Sequence, residues 1–486
     1  MDFTCIVLFL ALYYLKPQEW TSLFATIHFV QLTMLASLST LIFRERTLKA
    51  RDFFRTPQDW AVYGFFLWMV ISSIEPFDIL ETEVLNRLLF YVVTVQTIYS
   101  LTRLNRFLGW WTLFLVIIAI LALAGEFFWD PLGSYEITHY IMKDRLVLNI
   151  STVNNPNALA HGLAPGLAML YYFTIWKRPV FFKVLGGIGI ALITYAIYLT
   201  VSKGGYLVTA ATIMAMLTFG RPKSAQIVIA TVLILAGSSI LYQLPRMTDL
   251  KNTKAEGGIQ GRVASFTHGY HYYKTYVGGV GMNQFMKRQL SEFHLSKAPH
   301  SVYNCIGSQQ GIVGMFLFLL IMWSNLRTLV FMKTQSVEQE RARRVLFALV
   351  ISYAVSGWMV DFAYRPSFFL FTAAISVMHR LFCLSQEVEP ESKGFSLAWK
   401  KQPMEAAIAL PNPTAQLVAI PAGPKLPYMT LMQAGNQHAW LRTESSQTPM
   451  DPPKKTHQGF SLLDIGATLV ALKLVEMIWV YSINHM

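Results

Sequence analysis

The feature that most constrains this chain is a series of long apolar runs between its first residues and about position 384. Runs such as 21–43, 107–128, 179–200 and 309–332 are long enough to cross a bilayer as helices, which takes about 20 residues each. The chain has 14% charged residues, whereas a soluble protein of this length has about 25%. The sequence therefore predicts an all-α, polytopic membrane protein.

The apolar runs predict about twelve transmembrane helices within one membrane domain, residues 1–384. The expected spans lie at 3–16, 21–43, 59–75, 84–101, 107–128, 157–176, 179–200, 205–220, 225–242, 304–332, 344–362 and 366–384.

The placement of basic residues predicts the topology. The net charge of +13 is compatible with binding nucleic acid, but Lys and Arg are concentrated in alternate connections between spans. Short loops rich in Lys and Arg stay cytoplasmic, so the amino terminus is expected inside and the segments 129–156 and 243–300 outside. We therefore expect membrane lipids, and no nucleic acid, as partners. The basic residues of these connections are Arg44, Arg46, Lys49, Arg51, Arg55, Arg103, Arg106, Lys177, Arg178, Lys183, Arg221, Lys223, Lys333, Arg341, Arg343 and Arg344.

The composition changes after residue 384. Residues 385–459 have too little periodic apolar content to pack alone and are expected to be a disordered cytoplasmic linker. Residues 460–486 are apolar again but contain Asp464, Lys473 and Glu476. A charge at the centre of a span costs about 2.5–3.5 kcal/mol, so this stretch is either a thirteenth span or a helix on the membrane surface. The thirteenth span is slightly favoured.

The outer segment 243–300 is the most polar part of the membrane domain, and its motifs predict an anion site. Arg262 follows a glycine-rich stretch, and the planar guanidinium of arginine matches phosphate well. An interfacial arginine that contacts lipid headgroups is the alternative. The glycines Gly279 and Gly281 permit a sharp turn or a close approach to a ligand, although a simple turn back into the membrane explains them equally.

His300 lies just before an apolar helix that is expected to start at about residues 301–304. The positive end of a helix favours a neutral imidazole, which can accept a proton from an attacking hydroxyl group near neutral pH. A nearby pyrophosphate would instead favour the imidazolium form. A histidine that only caps or packs the helix end is the structural alternative.

Other polar residues are expected on the same side of the membrane. Lys203, beside Ser202 and two glycines, is a candidate cation that otherwise extends to the lipid headgroups. Arg145 is a further candidate cation, and Asn157 belongs to an asparagine cluster that binds sugar hydroxyls or caps a helix. An acidic run is the one expected place for a divalent metal, although acidic outer loops are common. Its residues are Glu75, Asp78, Glu81 and Glu83.

Together these motifs resemble the O-antigen ligase and polymerase-like superfamily of bacterial membrane glycosyltransferases, from about residue 145 to residue 320. The His-Ser-Val-Tyr motif at 300–303 is similar to the motif of one branch, the exosortase-associated putative O-glycosylation ligases. The motifs are Asn-Asn-Pro-Asn-Ala-Leu-Ala at 154–160, Ser-Lys-Gly-Gly at 202–205, Gly-Arg at 261–262, Gly-Val-Gly at 279–281, His-Ser-Val-Tyr at 300–303 and Gly-Ile-Val-Gly at 311–314.

The resemblance implies a GT-C-type fold with a large periplasmic loop in the bacterial inner membrane. It implies inverting, metal-independent and cofactor-free transfer of a glycan from undecaprenyl pyrophosphate to a lipid, protein or polysaccharide acceptor. Arg262 and Lys203 would neutralise the leaving pyrophosphate, and His300 would deprotonate the acceptor hydroxyl or orient the pyrophosphate. The remaining contacts to pyrophosphate or glycan would come from Arg145, Asn157, Ser202, Gly279, Gly281, Ser301 and Tyr303.

The chain departs from the family pattern at three positions. Lys203 stands where the family usually has arginine, Ser301 where asparagine is common, and Phe266 where tryptophan is usual.

Three other functions compete with a ligase. A repeat-unit polymerase uses the same donor and differs only in its acceptor. A lipid-linked glycan transporter is disfavoured, because transporters place ionisable residues inside their spans and here they lie near the span ends. A scaffold protein with a degenerate site is the third.

Overall fold

The computed structural model describes residues 2–20, 29–43, 53–73, 85–243, 257–384 and 459–485. Within these ranges all regular structure is helical, as the apolar runs predict. The predicted linker lies outside the described residues except for Gly459.

The helices are labelled in chain order. Short helical segments also occupy Pro17–Glu19, Ser134–Glu136 and Ile137–Ile141, and wider helical turns extend α6 over Tyr171–Ile175 and α14 over Arg380–Leu384. The helices are α1 (Asp2–Leu15), α2 (Phe29–Ile42), α3 (Pro57–Ile71), α4 (Leu85–Thr97), α5 (Leu101–Phe127), α6 (Pro156–Leu170), α7 (Val180–Leu199), α8 (Lys203–Thr218), α9 (Lys223–Gln243), α10 (Gly257–Thr275), α11 (Phe285–Phe293), α12 (Val302–Phe331), α13 (Val337–Ser356), α14 (Pro366–His379) and α15 (Leu462–His485).

The helices agree with the apolar pattern of the sequence. Each of the twelve predicted spans overlaps one helix among α1–α9 and α12–α14. Four described helices, namely α5, extended α6, α7 and α12, are long and apolar enough to cross a membrane. These features are consistent with a helical membrane protein. The number of twelve spans and the GT-C-type fold remain predictions.

Helix α12 lies at the centre of the molecule, in contact with α3, α10, α13, α14 and α15. It is interrupted at Gly311, whose φ of 65° and ψ of −163° are not helical. The loop after α10 crosses this interruption, where the N–H of Val280 donates to the carbonyl of Ser308 and the N–H of Gly281 to that of Gln309. The loop therefore satisfies carbonyl groups that the broken helix leaves without an intrahelical donor.

Glycine is required where the loop and the broken helix touch. A Cβ atom on Gly279 would overlap the backbone of Gln309, and one on Gly311 would overlap the carbonyl of Val277. Both glycines also have positive φ angles, 75° and 65°. Only glycine adopts this conformation without steric cost, so the two backbones can pack directly against each other.

Helix α15 packs against α10 and α12 as part of the same compact unit. Its buried Asp464 forms an ion pair with Arg327 and accepts a hydrogen bond from Trp323 at 3.0 Å. Near the other end, the indole of Trp479 donates to the carbonyl of Phe266 at 3.1 Å. The ion pair offsets part of the desolvation cost of Asp464. Whether α15 is a thirteenth span remains a prediction.

Candidate functional site

The polar segment 243–300 contains two helices, although the sequence pattern indicates mostly loop. Helix α10 carries Arg262 in its second turn, and α11 follows the glycine turn. The segment forms a small apolar cluster of its own, Tyr272, Val280 and Phe285, and α10 also packs against α12 and α15. Tertiary packing therefore places Arg262 on a helix.

The start of α12 and helix α10 are joined by a polar side chain of α12. The amide of Asn304 donates to the carbonyl of Pro299 at 2.8 Å and to that of Ser265 at 3.1 Å. The hydroxyl of Ser265 donates in turn to the carbonyl of Ala298 at 2.9 Å. These bonds hold the backbone immediately before His300 against the turn of α10 that follows Arg262.

His300 lies in the two-residue gap between this anchored backbone and α12. Its φ of 55° is in the left-handed region, which is uncommon for a residue with a side chain and recurs at functional sites. Its side chain is half-buried. Burial and then the positive charges of Arg262 and Lys297 hold the pKa of His300 below its usual value of 6.5. The imidazole is therefore neutral at pH 7 and able to accept a proton.

A second histidine, His161 on α6, belongs to the same group. Its side chain is only 3% exposed, and its Nδ1 lies 2.7 Å from the hydroxyl of Ser356. Arg262 acts electrostatically on His161 as well as on His300. Arg262 is therefore within electrostatic range of His300 and of His161, which the sequence motifs did not single out, and a shared role of Arg262 and His300 stays a prediction.

Three further predicted residues form one hydrogen-bonded cluster, defined by Arg145, Asn157 and Ser202. The side-chain carbonyl of Asn157 accepts from the guanidinium of Arg145 at 3.0 Å and from the hydroxyl of Ser202 at 2.7 Å. Arg145 also donates to the carbonyl of Thr200 at 3.1 Å. The cluster joins the segment before α6 to the segment between α7 and α8.

Ser202 also caps helix α8, since its hydroxyl accepts from the N–H of Gly205 at 3.1 Å. Lys203 is the first residue of that helix and is half-buried. Asn155, rather than Asn157, is the cap of α6, because its side chain accepts from the N–H of Asn157 at 2.9 Å. A helix cap, one of the two predicted roles of the asparagine cluster, is therefore present at Asn155, two residues before Asn157.

Ser301 and Tyr303 form the predicted beginning of α12. Ser301 is the cap residue, fully buried, and its hydroxyl donates to the carbonyl of Gly357 at 2.8 Å. Tyr303 is 6% exposed and donates to the carbonyl of Ala354 at 2.9 Å. Both side chains fix α12 against the end of α13, so any contact they make with a substrate remains a prediction. The same holds for Gly279 and Gly281, which pack against the break in α12.

The acidic run that was expected as the one place for a divalent metal lies in a part of the chain that the structure does not describe. Glu75, Asp78, Glu81 and Glu83 all lie between α3 and α4, outside the described residues. In the part of the chain that is described, no group of three His, Cys, Asp or Glu side chains is arranged to hold a metal ion. Metal-independent chemistry therefore remains a prediction.

The arrangement combines the guanidinium of Arg262, on α10, with the imidazole of His300, whose pKa is lowered. A guanidinium can bind a phosphate oxygen, and an imidazole of lowered pKa can take a proton from a hydroxyl group. The signal for His161 in the sequence is weak, since it is a single histidine in an apolar run. Its partner Ser356 is 195 residues away, so no local motif could have identified it.

Comparison with known protein families supports the resemblance seen in the motifs. Residues 188–319 match the family model described as O-Antigen ligase. The matched segment contains Lys203, Arg262 and His300, whereas His161 and the cluster residue Asn157 lie before it. No curated protein matches the chain.

Proposed function

Because residues 188–319 place this chain in the O-antigen ligase and polymerase-like superfamily, as its motifs predict, we propose that it is a membrane glycosyltransferase. The proposed reaction is the inverting, metal-independent transfer of a glycan from undecaprenyl pyrophosphate to an acceptor hydroxyl. It would take place at the periplasmic face of the bacterial inner membrane. The observation that carries the proposal is the position of His300, half-buried before α12 and within electrostatic range of Arg262, where burial and the nearby positive charges lower its pKa.

Arg262 is proposed to bind the pyrophosphate of the donor, with Lys203 as a second cation. When the bond between the sugar and the pyrophosphate oxygen breaks, negative charge grows on the leaving pyrophosphate. A guanidinium already fixed on a helix stabilises that charge without reorganising during the reaction. This contribution is larger in a water-poor site than in bulk water.

His300 is proposed to act as the general base. Its neutral ring would take the proton of the acceptor hydroxyl while that oxygen forms the new bond to the anomeric carbon. The sugar would leave the pyrophosphate with inversion, and the departing undecaprenyl pyrophosphate would keep the electron pair of the broken bond. The lowered pKa of His300 supports this role, because protonated imidazole cannot accept the proton.

The first experiment measures glycan attachment at the cell surface in Arg262→Ala and His300→Ala variants. Each variant is expected to lose at least about 100-fold of the activity while protein levels in the membrane stay normal. Arg288→Ala is a matched control, because Arg288 is an arginine of the same segment whose contacts are an ion pair with Glu292 at 2.6 Å and a hydrogen bond to the hydroxyl of Tyr276 at 2.9 Å. Unchanged attachment in both site variants would refute the proposal.

The second experiment concerns sidedness. A reporter domain fused near Lys287, on α11, is expected to behave as periplasmic because the basic connections predict that 243–300 is outside. Cytoplasmic behaviour of the reporter would contradict the proposed location.

Analysis of the reaction product would distinguish a ligase from a polymerase, since only a polymerase increases the number of repeat units on the lipid carrier.

A further inference from the structure

Two basic residues from distant parts of the chain, Lys16 and Arg365, line the same cavity on the side of the protein that is predicted to be periplasmic. Lys16 follows α1 and Arg365 precedes α14, and both connections are expected outside from the placement of Lys and Arg in the sequence. The cavity has a volume of about 280 Å³ and is also lined by Arg87, Asp361 and Thr152. Its described lining therefore contains three basic residues and one acidic residue.

The Arg365 guanidinium retains donors for a ligand. In the described part of the chain it donates a hydrogen bond to the carbonyl of Thr152 and lies 4.4 Å from the centre of the Phe362 ring, without an ion pair. Lys16, by contrast, forms an ion pair with Glu19 at 2.9 Å. A guanidinium has five N–H donors that match the oxygens of a phosphate, so Arg365 is the anion ligand that the geometry of the cavity favours.

Thr152 supplies a second donor beside Arg365. Its carbonyl accepts the hydrogen bond from Arg365, whereas its hydroxyl oxygen is buried without a partner among the described residues. A buried hydroxyl group left unpaired is unfavourable, and a ligand oxygen in the cavity would satisfy it. Thr152 also lines a second cavity, so the two cavities meet at this residue.

The second cavity is smaller and mainly apolar. It has a volume of about 70 Å³ and shares Tyr13, Thr152 and Arg365 with the first. Along α13 its lining extends from Ser356 back to Leu349, which is about 10 Å of helix at 1.5 Å per residue. A cavity with mainly apolar walls accepts hydrocarbon in preference to water. The aromatic and aliphatic residues of these walls include Tyr14, Trp111, Leu115, Val153, Phe362 and Phe371.

We propose that the two cavities together bind an anionic membrane phospholipid. Its phosphate would contact the Arg365 guanidinium and the Thr152 hydroxyl in the first cavity, and the adjoining part of an acyl chain would enter the second. A free phosphate would leave the apolar cavity unused, and a zwitterionic lipid would bring a further positive charge among the basic residues. Neither Arg262 nor His300 belongs to the described lining of these cavities, so the site is separate from the proposed donor site and does not depend on the proposed function.

The test measures equilibrium binding of radiolabelled short-chain phosphatidylglycerol to the purified full-length protein in a neutral detergent. The unmodified protein is expected to bind it at least about tenfold more tightly than phosphatidylcholine of the same chain length, and free glycerol phosphate should not displace it. Arg365→Gln is expected to weaken binding by about tenfold or more, because glutamine keeps a hydrogen-bond donor but loses the charge. Arg288→Gln, on α11 and outside the lining of both cavities, is the matched control and should bind like the unmodified protein.

A second variant, Thr152→Val, tests the hydroxyl contact with little change in shape. Valine replaces the unpartnered hydroxyl group with a methyl group, so phosphatidylglycerol binding should fall by about three- to tenfold while thermal stability stays the same or rises. Reduced stability with unchanged binding would show that Thr152 has only a structural role.

Three results would overturn the inference. Equal affinity for phosphatidylglycerol and phosphatidylcholine, or unchanged binding in Arg365→Gln, would show that no anionic headgroup binds at Arg365. Displacement by an equal concentration of glycerol phosphate would mean that the site takes a soluble phosphate rather than a lipid. Arg262→Ala should retain phosphatidylglycerol binding, and a loss equal to that of Arg365→Gln would place the lipid in the proposed donor site instead.

Discussion

The candidate site has two polar regions, which differ in whether their buried side-chain polar atoms have hydrogen-bond partners. In the Arg145–Asn157–Ser202 cluster, the side-chain carbonyl of Asn157 accepts two hydrogen bonds. In the group formed by Arg262, His300 and His161, a buried ring nitrogen has no partner within the described residues. Both regions are polar in sequence, but of the two only the second contains a fully buried side-chain atom without a partner among the described residues.

The difference distinguishes residues that hold the structure of the site, as in the Arg145–Asn157–Ser202 cluster, from residues that are proposed to act on the substrate. A satisfied buried network makes the structure rigid and unique. A buried group left unsatisfied costs stability and persists where function requires it. The comparison predicts that substitutions in the cluster reduce stability first, whereas substitutions in the second region reduce activity at nearly unchanged stability.

The largest effect should come from a change that keeps the charge of Arg262. Arg262→Lys removes the bidentate hydrogen bonding to phosphate, because lysine binds only as a point charge. The substitution is expected to reduce glycan transfer by about 10–100-fold. The assay measures transfer per amount of folded protein. Arg288→Lys on α11 is the control, and equal activity in the two variants would mean that Arg262 does not bind phosphate through its planar fork.

A smaller effect on activity, with a larger effect on stability, is expected in the cluster. Asn157→Ala removes the acceptor for Arg145 and Ser202 and should lower the free energy of unfolding by about 1–3 kcal/mol. Thermal unfolding of the purified protein checks this value. A variant with unchanged stability and abolished transfer would show that Asn157 acts on the substrate directly, as the family resemblance implies.

The pH dependence of transfer tests the environment of His300. Its pKa is lowered by burial, Arg262 and Lys297, so the acidic limb of the activity profile should lie below pH 6.5. Lys297→Gln removes one of these charges and raises the pKa, so the limb should move to higher pH by up to about one unit. Lys287→Gln, on the neighbouring helix α11, should not move it. A limb that stays in place in Lys297→Gln would mean that another group titrates.

The smallest effect is expected from Lys203→Arg, which restores the residue that is usual in the family. Arginine keeps the charge and adds a second donor, so transfer should be unchanged or increased by a few fold. The same transfer assay measures it. An inactive Lys203→Arg variant would show that this position does not contact phosphate.

The helices of the bundle could be predicted from the sequence because their signal is local. Each predicted span overlaps a helix, and the start of α12, expected at about residues 301–304, lies at Val302 with Ser301 as its cap. The helices α10 and α11 could not be predicted in the same way. Their stability depends on contacts with α12 and α15, which a local pattern does not contain.

The candidate site was predictable only in part, for the same reason. Arg262 and His300 were proposed as site residues because short motifs surround them; Arg262 is within electrostatic range of His300, and their shared role stays a prediction. His161 depends on Ser356 and Gly204, which are distant in sequence, and the break at Gly311 depends on the loop that crosses it. Gly279 and Gly281 were expected either near a ligand or in a simple turn; the structure shows that they pack against α12, and a ligand contact stays a prediction.

The central claim is that Arg262 binds the diphosphate of a lipid-linked donor. The most direct test is the equilibrium affinity of the purified full-length protein for undecaprenyl pyrophosphate, compared between Arg262→Ala and Arg288→Ala. We expect Arg262→Ala to bind at least about tenfold more weakly and Arg288→Ala to bind like the unmodified protein. Equal affinity in the two variants would contradict the account.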